Sequence, residues 1–121
     1  MKTIKFRAWD FNSKSWYVPT EYEVSEGARL FFAVDKEIIK FNRGDMELMQ
    51  FTGLLDKNGK EIYEGDYLKQ EGLYVEVKWG VFEAGFIFED GSGSLMTVTS
   101  GNSNMWEVIG SIYENPELLE D

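Results

Sequence analysis

The stretch MQFTGLLDKNGKEIYEGD, residues 49–66, decides the fold because it contains a strand, a tight turn and a second strand that begins a small barrel. Asp56 supplies a carboxylate that can accept backbone N–H groups, and Gly59 can reach positive φ without a Cβ clash. We predict a hairpin with a type I turn and a bulge at Gly59. A type I′ turn centred on Asn58 and Gly59 is the alternative.

The second half of this stretch predicts a bend. Ile62 and Tyr63 favour a strand, and the pair Gly65-Asp66 interrupts it just before the apolar residues resume. We therefore expect the chain to pass from one small sheet to another here. Asp66 is predicted to accept backbone N–H groups at the bend.

Toward the N terminus, short runs of alternating apolar and polar residues indicate strands. Residues 3–9 predict a half-buried strand whose hairpin partner carries Trp16, so Trp9 and Trp16 are expected to form a cross-strand pair. Residues 28–34 and 37–41 predict a second hairpin, because β-branched and aromatic residues dominate both runs.

Toward the C terminus, residues 73–79 alternate strictly, which predicts that Leu73, Val75, Val77 and Trp79 face the core.

The sequence Asn115-Pro116-Glu117 matches the start of a helix, with Asn as the cap and Pro at the first helical position. We expect a short C-terminal helix of one or two turns. No linker separates domains, so the chain is predicted to form one mainly β domain over residues 1–121. Within it, a β subregion of about residues 1–45 meets a barrel-like subregion of about residues 46–121.

Composition excludes several kinds of chemistry. Cysteine and histidine are both absent, which removes disulfides, thiolate nucleophiles, most zinc sites and the Ser-His-Asp triad. We predict no enzyme, no cofactor, and no catalytic, cofactor-binding or metal-ligating residues. Three carboxylates lie close together in the sequence at Glu61, Glu64 and Asp66, which suggests a Mg²⁺ or Ca²⁺ site. Alternation along a strand, however, turns Glu61 away from the other two.

Charge is unevenly distributed. The chain has 12 Lys and Arg against 22 Asp and Glu, a net charge of −10, and no basic residue follows Lys78. This pattern argues against direct nucleic-acid binding, which depends on a basic surface. Acidity of this kind either keeps the protein soluble or presents an acidic surface to a basic partner. Residues proposed for such an interaction face are Glu83, Glu89, Asp90 and Glu107.

Four blocks of sequence resemble the YopX-like family of phage and prophage proteins: IKFRAWD, MQFTGL, DKNGKEIYEGD and EVIGSIYENPELL. They occur in the family's order and cover somewhat under half of the chain. The resemblance implies a bacteriophage-derived, mostly β protein with an SH3-like barrel portion, and it brings no catalytic residues. Positions predicted to be structurally important are Asp56, Asn58, Gly59, Gly65, Asp66, Gly110, Asn115 and Pro116.

These observations favour a phage- or prophage-derived accessory protein that acts as a non-enzymatic interaction module in the bacterial cytoplasm. Neither a signal peptide nor an apolar run of spanning length is evident. Expected partners are a host or phage protein and further copies of the chain, because the start is basic and the end acidic. One alternative is an acidic mimic of nucleic acid that occupies a DNA-binding or restriction protein. A weaker alternative is a carboxylate-based metal-dependent hydrolase.

Overall fold

The computed structural model describes residues 5–19, 21–25, 29–34, 36–42, 44–80, 85–91, 95–97 and 104–119. Within them the strands are β1 Phe6–Asp10, β2 Ser15–Tyr17, β3 Glu21–Ser25, β4 Arg29–Val34, β5 Glu37–Lys40, β6 Met46–Leu55, β7 Glu61–Tyr63, β8 Asp66–Gln70, β9 Leu73–Gly80, β10 Gly85–Asp90, β11 Leu95–Thr97 and β12 Glu107–Ser111. A 3₁₀ turn, Pro116–Leu119, follows.

The protein is mainly β, as its sequence predicts, and one sheet curls into a half-barrel. In the part of the chain that the structure describes, no helix is long and apolar enough to cross a membrane. The chain divides into two compact units, one formed by Lys5–Met49 and the other by the residues from Gln50 onward.

The first unit contains an antiparallel sheet in the order β3-β4-β5, and the β1–β2 hairpin next to the start of β6. The predicted hairpins are confirmed, and Trp9 pairs with Trp16 across β1 and β2 with ring centres 4.9 Å apart. The prediction that β1 is half-buried is wrong, because Arg7, Ala8 and Trp9 are all buried. The Arg7 guanidinium lies 3.8 Å from the centre of the Trp16 ring, so the predicted outer face is covered too.

The second unit contains a five-stranded antiparallel sheet in the order β11-β10-β9-β8-β12. Its core is a cluster of buried side chains from this sheet, from β7 and from the residue before β12: Ile62, Leu68, Val75, Val77, Phe88 and Trp106. The inward prediction for Val75 and Val77 is confirmed. It is wrong for Leu73 and Trp79, which are 42% and 49% exposed, because β9 extends past the cluster at both ends.

The turn between β6 and β7 is the type I turn with a glycine bulge. The Gly59 N–H donates to the Asp56 carbonyl at 3.0 Å, and the Asp56 N–H donates to the Lys60 carbonyl at 2.8 Å. Gly59 has a φ of 81°, whereas positive φ outside glycine occurs, in the described ranges, only at Lys14, Lys36 and Glu71. Type I′ requires positive φ at Asn58 as well, so it is excluded.

The Asp56 carboxylate joins this hairpin to β12. Its Oδ1 accepts the N–H groups of Asn58 and Lys60 at 2.8 and 2.9 Å, and its Oδ2 accepts the N–H of Val108 at 2.9 Å. Asp56 is only 4% exposed. Burial by itself raises the pKa of Asp56, but these three N–H groups outweigh burial and lower the pKa below its ordinary value of 3.8.

The predicted bend at Gly65-Asp66 is present and separates β7 from β8, which belong to different sheets. Gly65 has a φ of 85°, its N–H donates to the Val77 carbonyl at 2.8 Å, and its carbonyl accepts the N–H of Ile112 at 2.9 Å. The buried Asp66 carboxylate accepts the Tyr63 N–H at 2.8 Å. The backbone-bonding role predicted for Asp66 is confirmed.

The C-terminal helix differs from the prediction. Pro116 does begin it, directly after Asn115, but the segment is a single 3₁₀ turn with the Leu118 N–H donating to the Asn115 carbonyl. The Asn115 side chain lies against Gly110, where a Cβ on Gly110 would collide with it. Gly110 also sits at the irregularity in β12, so the close approach explains why glycine is needed there.

Replacing Gly59 with Val should lower the free energy of unfolding by about 1–3 kcal/mol. A Cβ at Gly59 meets no atom within 4 Å, so the loss comes from backbone strain at positive φ and not from a clash. Gly59→Asn should cost less, since Asn tolerates this conformation. Urea denaturation measures both, and equal stability of Gly59→Val and the native chain would contradict the turn assignment.

Replacing Asp56 with Asn should lower the free energy of unfolding at pH 7 by about 1.5–3 kcal/mol, because an amide N–H₂ would face the Val108 N–H. The folded-state pKa of Asp56 is lowered, so its carboxylate stabilises the protein above the ordinary value of 3.8 and loses this effect as pH falls through the folded-state pKa. The difference between the native chain and Asp56→Asn should therefore shrink at low pH.

Denaturant unfolding from pH 7 down to pH 2.5 would measure this dependence, with the exposed Glu117→Gln as the matched control. An undiminished difference at pH 2.5 would contradict the role given to the Asp56 carboxylate.

Candidate interaction surface

One side of the five-stranded sheet carries several charged side chains next to the buried Tyr67 and Ile87. Glu76 of β9 lies directly opposite Glu89 of β10, and Lys69 of β8 lies opposite both Tyr74 and Glu107. Residues that face each other across antiparallel strands project from the same side of the sheet. We call this side the charged sheet face and define it by Lys69, Tyr74, Glu76, Lys78, Glu89 and Glu107.

Most charges on this face have partners. The Lys78 Nζ lies 3.3 Å from a Glu89 carboxylate oxygen, and the Lys69 Nζ lies 5.6 Å from the centre of the Tyr74 ring. Glu107 accepts a hydrogen bond from the Asn58 side-chain amide at 3.2 Å. Glu107 is therefore tied to the Asp56 hairpin, which gives it a structural contact.

Glu76 is in the least favourable position. Burial raises the pKa of Glu76, Lys78 lowers it, and the negative charges of Glu89 and Glu64 raise it further. The net pKa is raised above the ordinary value of 4.5. Two carboxylates directly opposite each other on neighbouring strands destabilise a sheet. The arrangement is thus not optimised for stability, and a cation placed over it would relieve the repulsion.

The structure separates the residues that the sequence proposes for an interaction face. Glu89 lies on the charged sheet face, but Asp90 follows it in β10 and projects from the opposite side, where it pairs with Val75. Glu107 lies on β12, roughly three strand spacings of about 4.8 Å from β10. Glu83 lies outside the described residues.

The sequence pattern does not identify Glu76 as the neighbour of Glu89. A signal for it exists, because the alternation of residues 73–79 turns Glu76 and Lys78 outward and β10 follows directly as the next strand. The missing step was the register between β9 and β10, which decides that Glu76 meets Glu89. That register is a property of the folded sheet.

The three carboxylates considered as a metal site have separate contacts. Asp66 accepts the Tyr63 N–H, Glu64 accepts the Gln50 N–H at 3.4 Å, and Glu61 accepts the Tyr63 hydroxyl at 3.3 Å. Across the ranges that the structure describes, no three Asp or Glu side chains converge as metal ligands.

Comparison with known proteins identifies a family whose model matches this chain. A family model described as YopX protein matches residues 5–120. Protein EF1440 from Enterococcus faecalis has a similar solved structure, with a TM-score of 0.68 and 28% identity over 99% of this chain and 100% of its own. The yopX protein from Bacillus subtilis has a TM-score of 0.66 and 21% identity over 100% of this chain and 98% of its own, a likeness that shows the fold.

A search of curated proteins finds no match. The family model, however, extends over nearly the whole sequence and confirms the resemblance seen in the four blocks. The chain therefore belongs to the YopX family.

Proposed function

We propose that this protein is a phage- or prophage-derived accessory protein that acts in the bacterial cytoplasm by binding a basic protein partner, and not by catalysis. The observation that carries the proposal is the position of Glu76 opposite Glu89 on the charged sheet face. Local arrangements that reduce stability without an evident structural gain are typical of functional surfaces.

The distribution of charge between the two units supports a basic partner. Residues 50–121 contain 14 Asp and Glu against four Lys and Arg, whereas residues 5–49 contain eight acids and seven bases. Nearly all of the net charge of −10 therefore belongs to the unit that holds the charged sheet face. A field of this sign steers positively charged proteins and speeds their association at low salt.

The buried carboxylates support a non-catalytic role. Asp56 and Asp66 accept backbone N–H groups, and Asp10 accepts the N–H groups of Asn12 and Ser13. Such contacts hold turns and bends in place and favour the ionised form of the carboxyl group. We also infer that the five-stranded sheet is the SH3-like barrel portion that the family resemblance implies.

Self-association is part of the proposal. Up to Ser15 the chain has four basic residues and one acid, while its second half is strongly acidic. Oppositely charged regions favour head-to-tail contacts between copies, which can close into rings.

A second candidate is a mimic of nucleic acid that occupies a DNA-binding or restriction protein. The concentration of acids after residue 50 favours it, because a basic DNA-binding surface would recognise such a field. Duplex DNA added as a competitor separates the two candidates: it displaces the partner of a mimic and leaves the partner of an ordinary interaction module bound.

Partner capture should depend on the charged sheet face. With lysate from a bacterium that carries the gene, the double variant Glu76→Gln/Glu89→Gln should retain the main captured protein at least fivefold less than the native chain. The reason is that two carboxylates that attract the basic partner are removed. Quantitative mass spectrometry at low and moderate salt measures the retention.

The matched control is Glu71→Gln/Glu117→Gln, which removes the same charge at two exposed positions outside the set that defines this face. Equal capture by both double variants and the native chain would overturn the assignment to the charged sheet face. Light scattering of the native chain at both salt concentrations tests self-association, and a monomer in each would remove that part of the proposal.

Glu76→Gln should raise the free energy of unfolding at pH 7 by about 0.2–1 kcal/mol, because it removes the repulsion from Glu89. The folded-state pKa of Glu76 is raised above 4.5, so the native chain is relatively most stable below that value and loses stability as pH rises through the folded-state pKa. The gain from Glu76→Gln should thus appear between about pH 4 and 7 and vanish below.

Urea denaturation across this range measures the gain, with Glu71→Gln as the control for a charge change alone. If Glu76→Gln destabilises the protein at pH 7, the reading of Glu76 as a repelled carboxylate is wrong.

A further inference from the structure

Among the strands that the structure describes, β5 lies at the edge of the three-stranded sheet and has β4 as its one neighbour. Ile38, in this edge strand, is 79% exposed, the largest exposure among the large apolar side chains that the structure describes. Exposed sheet edges are templates for a further strand, and natural proteins usually protect them. An exposed isoleucine does not protect the edge of β5 from pairing with a further strand.

The hydrogen-bond pattern shows which backbone groups point to the open side. Glu37 pairs with Val34 beside the turn, and the Phe41 N–H donates to the Leu30 carbonyl at 2.8 Å. Hydrogen-bonded pairs alternate along antiparallel strands, so residues 37, 39 and 41 bond to β4. The N–H and C=O groups of Ile38 and Lys40 therefore point toward the free edge.

One lysine of β5 projects from the same face as Ile38, and a second lysine lies in the turn before this strand. Ile38 lies opposite Ala33 and Lys40 lies opposite Phe31, so both project from the same face of the sheet. Lys36 lies in the turn before β5, at positive φ, and is exposed as well. Glu37 projects from the other face, where its charge raises the pKa of Tyr17 together with burial and Asp10.

We propose that the free edge of β5 is a docking site for an extended segment of a partner protein. The segment adds a fourth antiparallel strand, bonding to the N–H and C=O groups of Ile38 and Lys40. Its side chains on the exposed face follow the order acid, apolar, acid, so that the apolar residue covers Ile38, one acid lies opposite Lys40 and the other reaches Lys36 in the turn. This proposal is independent of the charged sheet face.

The positive charges of Lys36 and Lys40 argue against a second copy of β5 as the occupant. An antiparallel pair of β5 strands that places Ile38 opposite Ile38 brings Lys40 of each copy beside the turn that holds Lys36 of the other. Like charges brought close together at the end of a strand pair repel each other and destabilise it. The two lysines thus disfavour self-pairing and at the same time select an acidic strand.

Two synthetic peptides test the proposal, Ac-TETVTET-NH₂ and its basic counterpart Ac-TKTVTKT-NH₂. We expect the acidic peptide to bind in a saturable way and the basic peptide at least fivefold more weakly. Amide hydrogen exchange followed by NMR should slow at least fivefold at Ile38 and Lys40 when the acidic peptide is bound. The amides of residues 37 and 39 already bond within the sheet and should change less.

Charge reversal provides the matched variant. Lys36→Glu/Lys40→Glu should prefer the basic peptide, whereas Lys14→Glu/Lys57→Glu, with the same charge change at two other exposed lysines, should keep the native preference. Ile38→Thr, which keeps β propensity, should weaken binding of the acidic peptide at least fivefold. Each of these results supports the site.

Equal binding of both peptides to the native chain, or binding without slower exchange at Ile38 and Lys40, would overturn the proposal. Exchange at Ile38 that slows with protein concentration in the absence of peptide would also overturn it, because a second copy would then occupy the edge.

Discussion

The buried Asp56 carboxylate is the interaction on which the rest of the second unit depends. It satisfies two N–H groups inside its own turn and one at Val108, 52 residues later in the chain. The turn is reinforced from the same side by the Lys57 N–H, which donates to the Trp106 carbonyl at 2.9 Å. One ionised group thus fixes a local turn and connects it to the edge strand β12, where backbone groups would otherwise be open to pairing.

The first unit uses the same chemistry at a different site. Asp10 accepts the N–H groups of Asn12 and Ser13 and, at 3.3 Å, the hydroxyl of Tyr17. The backbone bond from Asn12 is the largest cause of the lowered pKa of Asp10. Both turns read Asp-x-Asn, and in both the aspartate accepts the N–H two residues on, an arrangement that short acids favour in turns. Folding of a chain without disulfides therefore relies on ionised aspartates in two of its turns.

The charges that hold the structure differ from those available for binding. Asp10, Asp56 and Asp66 are buried, and their carboxylate oxygens accept hydrogen bonds from nearby donors. Glu76 and Glu89, by contrast, are half-buried and oppose each other on the charged sheet face, with one lysine close to the second of them. Net charge alone does not distinguish these groups, since each carboxylate counts once; burial and hydrogen bonding do.

The sequence by itself determined the features that depend on neighbouring residues. The turn at Gly59 and the bend at Gly65 follow from a backbone conformation that glycine adopts without a Cβ clash, and the strand runs follow from alternation. Tertiary structure alone decided the rest. The register of β9 on β10 places Glu76 opposite Glu89 and sends Asp90 to the other side, and the end of the core leaves Trp79 half-exposed. These outcomes depend on which distant residues cover each strand, so no local pattern encodes them.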